Sequence, residues 1–109
     1  MTIAHTILAQ LGGNRFLAMT GAKNLLRTET GLHMRLPGKA HFVKGGINAV
    51  RINLDPSDTY TMTFLKIGRA PKYDVTTVYE ISHVYHDQLV DIFEEQTGLR
   101  TELFAVKKA

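Results

Sequence analysis

The stretch from Ile47 to Ile67 constrains the fold more than any other, because its pattern is that of a β-hairpin. In both halves apolar residues alternate with polar ones, and the apolar members are Val50, Ile52, Leu54, Tyr60, Met62 and Phe64. A period of two is typical of a strand with one buried face. Between the halves, Asp55 offers a side-chain acceptor and Pro56 a fixed φ, as a type I turn requires. The stretch therefore predicts two antiparallel strands whose apolar sides face the core.

The chain ahead of this hairpin predicts one helix and two shorter strands. Apolar residues at helical spacing predict a helix from Thr2 to Leu11, and the Gly12-Gly13 pair ends it. The short apolar run at 15–19 predicts a strand, and the alternation at 32–36 predicts another.

Three segments have no decisive pattern. Residues 22–30 are polar and are interpreted as a loop or a single helical turn. Residues 39–46 contain the Gly45-Gly46 pair and predict a loop. Residues 74–79 are rich in β-forming side chains but directly precede a predicted helix, so their structure stays open.

The last strong pattern predicts a helix from Ser82 to Thr97, with Ser82 as its N-cap and Gly98 after its end. Leu89 and Phe93 lie on its apolar side. Its other side is acidic and carries Asp87, Asp91, Glu94 and Glu95. Beyond this helix, residues 99–106 predict a terminal strand or irregular packing.

Together these elements predict an α+β fold, an antiparallel meander of three to four strands with the N-terminal and the C-terminal helix packed on one face. The length of 109 residues and the hydrophobic fraction of 44% fit a single domain over residues 1–109. The expected centre of the core comprises Ile52, Tyr60, Met62, Phe64, Leu89 and Phe93. The other face of the sheet is expected to expose polar side chains to solvent, namely His33, Arg35, Arg51, Asn53, Thr61 and Thr63.

Composition also bears on the compartment. The chain has no run of about 18 apolar residues, so we expect no membrane-spanning helix. Its start lacks the basic n-region of a signal peptide. Without cysteines there is no disulfide framework and no thiolate-bound metal, which favours a cytoplasmic location.

Five short phrases of the sequence form a familiar set in this order. They are Gln10-Leu11-Gly12-Gly13-Asn14-Arg15-Phe16, Ala18-Met19-Thr20-Gly21-Ala22-Lys23, Asp58-Thr59-Tyr60, Val84-Tyr85-His86-Asp87-Gln88-Leu89, and Ile92-Phe93 leading to Thr97-Gly98-Leu99. The chain resembles a family of short uncharacterised proteins carried by bacteriophages and related mobile elements. The resemblance covers most of the chain except residues 39–46 and the C-terminal tail. It implies a phage or prophage setting and a role in the cytoplasm of the host cell, and it implies no known activity.

No catalytic or metal-binding motif is present in the sequence. Glu80, His83 and Asp87 would share one helical side if the last helix began early, His86 is close to them, and His41 is the distant candidate for a further ligand. Because only two imidazoles are local, we interpret them as surface histidines near a helix start and not as metal ligands. We therefore expect a protein that is not an enzyme and that needs no metal or cofactor.

Charge is distributed unevenly along the chain. Residues 1–54 contain seven Lys/Arg and one acid, a net charge of +6, whereas residues 55–109 contain six Lys/Arg and nine acids, a net charge of −3. Lys and Arg side chains supply the phosphate contacts of sequence-independent nucleic-acid binding. The first hypothesis is therefore non-sequence-specific binding of DNA or RNA by the basic N-terminal half. Its predicted contact residues are Arg35, Arg51, Lys39 and Lys44.

The acidic C-terminal helix indicates other hypotheses. From Asp74 to Glu95 the chain has six acids and no Lys or Arg. Such a surface is compatible with a protein-interaction module or host-factor inhibitor that docks on a basic host or phage protein. It also allows a structural homo-oligomer, in which the acidic helix meets the basic face of a second copy. An ordinary solvated helix face explains the same pattern, and the sequence leaves these alternatives open.

Overall fold

The computed structural model describes residues 3–36, 46–68 and 74–99 of the chain. Within these ranges it contains five strands and three α-helices, with a short 3-10 turn before the last helix. In chain order they are α1 (Ile3–Leu11), α2 (Asn14–Thr20), β1 (Lys23–Arg27), β2 (Gly31–Arg35), β3 (Ala49–Leu54), β4 (Tyr60–Ile67), β5 (Val75–Val84), the 3-10 turn (His86–Gln88) and α3 (Leu89–Thr97).

The strands form one sheet in the order β1-β2-β3-β4-β5, and each strand is antiparallel to the next. Sequential strands joined by short connections pair in this way because no long crossover is needed. The predicted α+β fold with an antiparallel meander is therefore confirmed. The sheet has five strands rather than three to four, because β1 and β5 occupy segments whose structure the sequence left open.

The central hairpin is confirmed as β3 and β4. Its turn is closed by the Asp58 backbone N–H, which donates to the Asp55 carbonyl at 2.9 Å. The Asp55 side chain also accepts a hydrogen bond from the Thr61 hydroxyl at 2.6 Å, so the turn is tied to the start of β4. These bonds fix the register in which Ile52 lies opposite Met62 and Val50 opposite Phe64.

One face of the sheet, here called the helix face, packs against the helices. Register pairs place Leu32, Ile52 and Met62 in one row across β2, β3 and β4, with Met34, Val50 and Phe64 in the next. These residues belong to one buried cluster with side chains from all three helices, including Ile7, Leu11, Phe16, Leu89 and Phe93. The predicted core is thus confirmed, and burial of this apolar surface is the main stabilising term of the fold.

Residues 15–19 are a helix and not the predicted strand. Gly12 and Gly13 both have positive φ, so the chain turns directly from α1 into α2. Within α2, Phe16 and Thr20 are buried on one side, one helical turn apart, and the Thr20 hydroxyl donates to the Phe16 carbonyl at 2.8 Å. The Phe16 ring meets the ring of Phe93 edge-on at 5.0 Å between centroids. A five-residue apolar run does not distinguish strand from helix, and packing against α3 decides here.

The last helix begins later than predicted. Strand β5 continues to Val84, so Ser82 lies in a strand and is not an N-cap. The chain turns at Tyr85, whose backbone N–H donates to the Gln88 side chain at 2.9 Å before α3 starts. The end of the helix is confirmed, because Gly98 adopts the left-handed C-cap conformation.

Two predictions cannot be compared with the structure. The predicted loop at 39–46 lies outside the described residues except for Gly46, and the predicted terminal strand at 99–106 does so except for Leu99, which is buried in the core. In the described part of the chain, no helix has the length and apolar character needed to span a membrane.

Candidate nucleic-acid interface

The face of the sheet opposite the helix face, here called the polar face, gathers basic side chains from three neighbouring strands. Lys23 on β1 lies opposite Arg35 on β2, and His33 on β2 lies opposite Arg51 on β3. Because directly paired residues of antiparallel strands project from the same face, all four side chains share the polar face. They are called the basic patch below.

The sheet register sets the spacing within the basic patch. Arg35 pairs with Ala49, which is two residues from Arg51, so the two arginines are diagonal neighbours. Diagonal neighbours on adjacent strands lie about 7–8 Å apart. Lys23 continues the patch one strand further, toward the edge of the sheet. The patch therefore presents three permanent positive charges across three strands.

Arg35 is the most tightly held member of the basic patch. The side chain is half-buried, and its Nε is inaccessible to solvent with no hydrogen-bond partner among the described residues. A buried, unpaired N–H is unfavourable, so the packing around this side chain must compensate for it. Its neighbour on β3 is the small residue Ala49, which leaves room for the stem of a long side chain. Arg51, in contrast, is exposed.

His33 lies between the charges of the patch and is half-buried. Burial and, to a smaller extent, the positive charge of Arg51 lower the pKa of His33 below its ordinary value of 6.5. Both effects disfavour the imidazolium form. The shift favours the neutral imidazole, and the permanent charges of the patch are those of Lys23, Arg35 and Arg51.

A carboxylate limits the basic patch on the side of β5. The row that contains His33 and Arg51 continues to Thr63 on β4 and Glu80 on β5. The Thr63 hydroxyl donates to Glu80 Oε2 at 2.9 Å and so holds the carboxylate over the polar face. On the polar face, positive charge thus lies on β1 to β3 and negative charge on β5. This arrangement is a charge gradient across the sheet.

The polar face is less exposed than the sequence predicts. Of the six polar residues expected in solvent, Arg51 is exposed, Thr63 is buried, and the other four are half-buried. Ala49 and Leu65 also project from this face as a register pair, and they are only 4% and 2% exposed. Alternation predicts correctly which side chains point away from the helices. It does not reveal how far they are covered.

The structure brings together two of the four predicted contact residues, Arg35 and Arg51. The other two, Lys39 and Lys44, lie outside the described residues. Lys23 was missed as a contact residue because the segment 22–30 predicted no strand. Its position before two leucines and a second cation, in Lys-Asn-Leu-Leu-Arg, is the only local signal of an edge strand.

The remaining described cations of the N-terminal half lie elsewhere. Arg27 pairs in register with Leu32, whose side chain is on the helix face, so Arg27 is on the opposite side of β1 from Lys23. Arg15 is an exposed residue of α2. The described cations of the basic half are thus divided between two sides of the fold, and three of them meet on the polar face.

The acidic residues of the C-terminal segment do not form the predicted single helix face. Asp91, Glu94 and Glu95 lie on α3, whereas Asp87 lies in the preceding 3-10 turn. Glu94 and Glu95 already interact with other groups of the chain. Docking of this surface on a basic partner stays a prediction.

The conditional metal cluster is not formed as the sequence suggested. Glu80 and His83 are residues of β5, and Asp87 follows in the 3-10 turn, so they do not share a helical side. Across residues 3–36, 46–68 and 74–99, no group of three His, Asp or Glu side chains is placed to hold a metal ion. His41 lies outside these ranges.

Comparison of the chain with protein-family models, curated proteins and solved structures finds no match. The resemblance to short phage proteins therefore stays a prediction.

Proposed function

We propose that the protein binds nucleic acid without sequence specificity and that the basic patch on the polar face makes the phosphate contacts. The observation that supports this most is the convergence of Lys23, Arg35 and Arg51 from three strands onto one face. Lys and Arg contacts to phosphates supply most of the affinity of sequence-independent binding. A sheet also holds these side chains on rigid elements, which lowers the entropy lost on binding.

The chemistry of the patch favours phosphate contacts over base contacts. Strands β1, β2 and β3 contain no Phe, Tyr or Trp, the side chains on which proteins stack unpaired bases. The polar neighbours of the patch on β3 and β4 are Asn53, Thr61 and Thr63, which project from the same face. Binding by these strands therefore depends on charge, and we expect it to be weak and insensitive to sequence.

The charge gradient across the polar face determines where a nucleic acid would lie. Glu80 repels phosphate from β5, whereas the patch attracts it on β1 to β3. We therefore expect the nucleic acid to follow β1 to β3. Three phosphate contacts correspond to a slope of roughly 2–3 in a plot of log affinity against log salt concentration.

Fluorescence anisotropy titrations of labelled short DNA and RNA at several salt concentrations test the proposal. Replacing Arg35 and Arg51 together by alanine should lower the salt slope by about one to two units. The matched control is the double change of Arg27 and Lys66 to alanine, because it removes the same charge from side chains on the opposite side of the sheet.

Two results would contradict the proposal. One is the absence of binding at low salt. The other is an equal loss of salt slope in the two double variants, which would show that only net charge matters. Either result would favour the alternative of a protein-interaction module that uses the acidic residues of α3.

A further inference from the structure

His33 is the titratable member of the basic patch and lies next to both of its arginines. On β2 it is directly opposite Arg51 of β3, and Arg35 is two residues further along its own strand. Residues directly opposite each other are about 5 Å apart, and residues two apart along a strand are about 7 Å apart. On the β1 side its register partner is Leu26, which is 58% exposed. A phosphate bound by both arginines would therefore lie beside His33.

The charged side chains nearest to His33 on the polar face are cations. Arg51 faces it from β3, Arg35 adjoins it on β2, and Lys23 lies opposite Arg35 on β1. Strands β1, β2 and β3 contain no Asp or Glu. The imidazole is thus surrounded on three strands by positive charge, and these strands offer no carboxylate to balance it.

The described carboxylates around this part of the sheet lie further from His33. Glu80 belongs to the same row but lies three strands away on β5, and its Oε2 accepts a hydrogen bond from Thr63. Three strand spacings amount to about 14 Å, which exceeds the Debye length of about 8 Å at physiological ionic strength. Glu29 and Asp55 lie in the turns before β2 and after β3. A bound phosphate would therefore be the first negative charge close to the imidazole.

The free protein disfavours the charged form of His33. Burial is the larger cause of its lowered pKa, and the charge of Arg51 is the smaller one. An opposite charge within about 4–6 Å of a titratable group favours the charged form. A phosphate held by the two arginines acts against both causes that lower the pKa of His33. Protonation and phosphate binding then strengthen each other by the same factor, because thermodynamic coupling is reciprocal.

We propose that His33 contacts phosphate as the fourth member of the basic patch and that it takes up a proton when nucleic acid binds. The inference rests on the proposed function and adds a pH dependence to it. The proton passes from the solvent to the neutral imidazole, and the imidazolium gives the patch a fourth positive charge. Nucleic acid is therefore bound more tightly at low pH than at high pH.

The pH range of the effect follows from the two states of the protein. Above the pKa of His33 in the complex, the imidazole is neutral in both states and adds nothing to the affinity. Below the lower pKa of the free protein, it is charged in both states and its contribution is complete. Net proton uptake occurs between these two pKa values.

Fluorescence anisotropy titrations of a labelled short oligonucleotide at one salt concentration, from about pH 5 to about pH 8, test this inference. The affinity of the wild-type protein should rise about two- to fivefold as the pH falls, the range that one exposed ion pair allows. Isothermal titration calorimetry in buffers of different ionisation enthalpy should show net proton uptake on binding.

Three variants separate His33 from other effects of pH. His33→Gln should lose most of the pH dependence, because its side chain keeps no titrating group. His33→Lys carries a permanent charge, so at high pH it should bind as tightly as the wild type does at low pH. The matched control is His86→Gln, because His86 is an exposed residue of the 3-10 turn outside the patch. It should keep the pH dependence of the wild type. Thermal unfolding followed by circular dichroism shows whether each variant is folded.

Three results would overturn the inference. One is an affinity that does not change with pH, and another is a pH dependence that persists in His33→Gln. The third is an equal loss of pH dependence in His33→Gln and His86→Gln, which would show that only net charge matters. The proposed function survives each of these if the Arg35 and Arg51 double variant still lowers the salt slope at high pH. Absence of binding at every pH would contradict both proposals.

Discussion

The two faces of the sheet differ in composition and in average burial, but each contains deeply buried side chains. Phe64 and Leu65 are neighbours in β4, and their side chains point to opposite faces. Phe64 belongs to the single large cluster that all three helices cover, whereas Leu65 is just as deeply buried but lies outside that cluster. The polar face therefore combines a small buried apolar pair, Ala49 and Leu65, with charged side chains beside it, because Arg35 pairs with Ala49.

The alternation of apolar and polar residues in a strand therefore indicates the face to which a side chain points. It does not indicate how far that side chain is exposed to solvent. On the helix face both signals agree, because every apolar position in β2 to β4 meets another apolar side chain. On the polar face a buried threonine hydrogen-bonds a carboxylate, and an arginine is half-buried beside an alanine. Charge on this face lies next to buried groups, where its interactions are stronger than in open solvent.

The largest expected effect tests the helix face. Replacing Phe64 by alanine should lower the free energy of unfolding by about 3–5 kcal/mol, because the ring is fully buried and the cavity collapses only in part. Chemical denaturation measures this loss. The matched control is Tyr79→Ala, because Tyr79 lies opposite Phe64 on β5 with a ring 6.3 Å away but is partly exposed, and its loss should be much smaller. Equal losses for the two variants would contradict the assigned core.

The next effect tests the polar face. Replacing Leu65 by alanine should cost about 2–5 kcal/mol, the range for a buried leucine. The side chain packs outside the main cluster, so we expect a value below that of Phe64→Ala. The same denaturation measurement applies, with the exposed Leu26→Ala as the control for removing a leucine from the polar face. A loss below about 1 kcal/mol would mean that Leu65 contributes no buried layer there.

The regular part of the sheet could be predicted from the sequence because its pattern is regular. In β2, β3 and β4 a period of two coincides with unbroken register, so the alternating apolar residues from Leu32 to Met34, from Val50 to Ile52 and from Met62 to Phe64 reach the helix face. The turn at Asp55 follows from side-chain chemistry that acts within four residues. The sequence pattern is sufficient to predict a strand where no bulge interrupts it.

Strands β1 and β5 could not be predicted from the sequence, because β-bulges interrupt their alternation of apolar and polar residues. The register of β5 against β4 jumps twice, once beside Val78 and once near His83, which adopts a positive φ. Each extra residue reverses the alternation, so the strand shows no consistent face in the sequence. In β1 the positive φ of Asn24 and a register shift have the same effect. These two strands are also the edges of the described sheet, where most side chains are exposed and impose little pattern on the sequence.

The candidate site was predictable only in part for the same reason. Arg35 and Arg51 lie in strands with a visible period, so their shared face follows from the sequence. Lys23 lies in an irregular edge strand, and the limiting carboxylate Glu80 lies between the two bulges of β5. Both ends of the charge gradient on the polar face therefore emerge only from the three-dimensional register.

The smallest expected effect concerns the titration of His33. Its neighbours on the polar face are Leu26 on β1 and Arg51 on β3, with Arg35 two residues along its own strand. Burial lowers the pKa of His33 more than the charge of Arg51 does. The folded protein therefore binds this proton less well than the unfolded chain. Its contribution to stability is complete above pH 6.5 and is lost as the pH falls through the lower pKa of the folded state.

We predict that NMR titration will find the His33 pKa below 6.5 and that Arg51→Gln will raise it only part of the way back, because burial is the larger cause. His33→Gln identifies the signal by its loss. A phosphate held by Arg35 and Arg51 would favour the imidazolium, so addition of nucleic acid should raise the same pKa. A complete return to 6.5 in the Arg51 variant would show that charge and not burial controls His33. An unchanged value in the presence of bound nucleic acid would place its phosphates away from the basic patch.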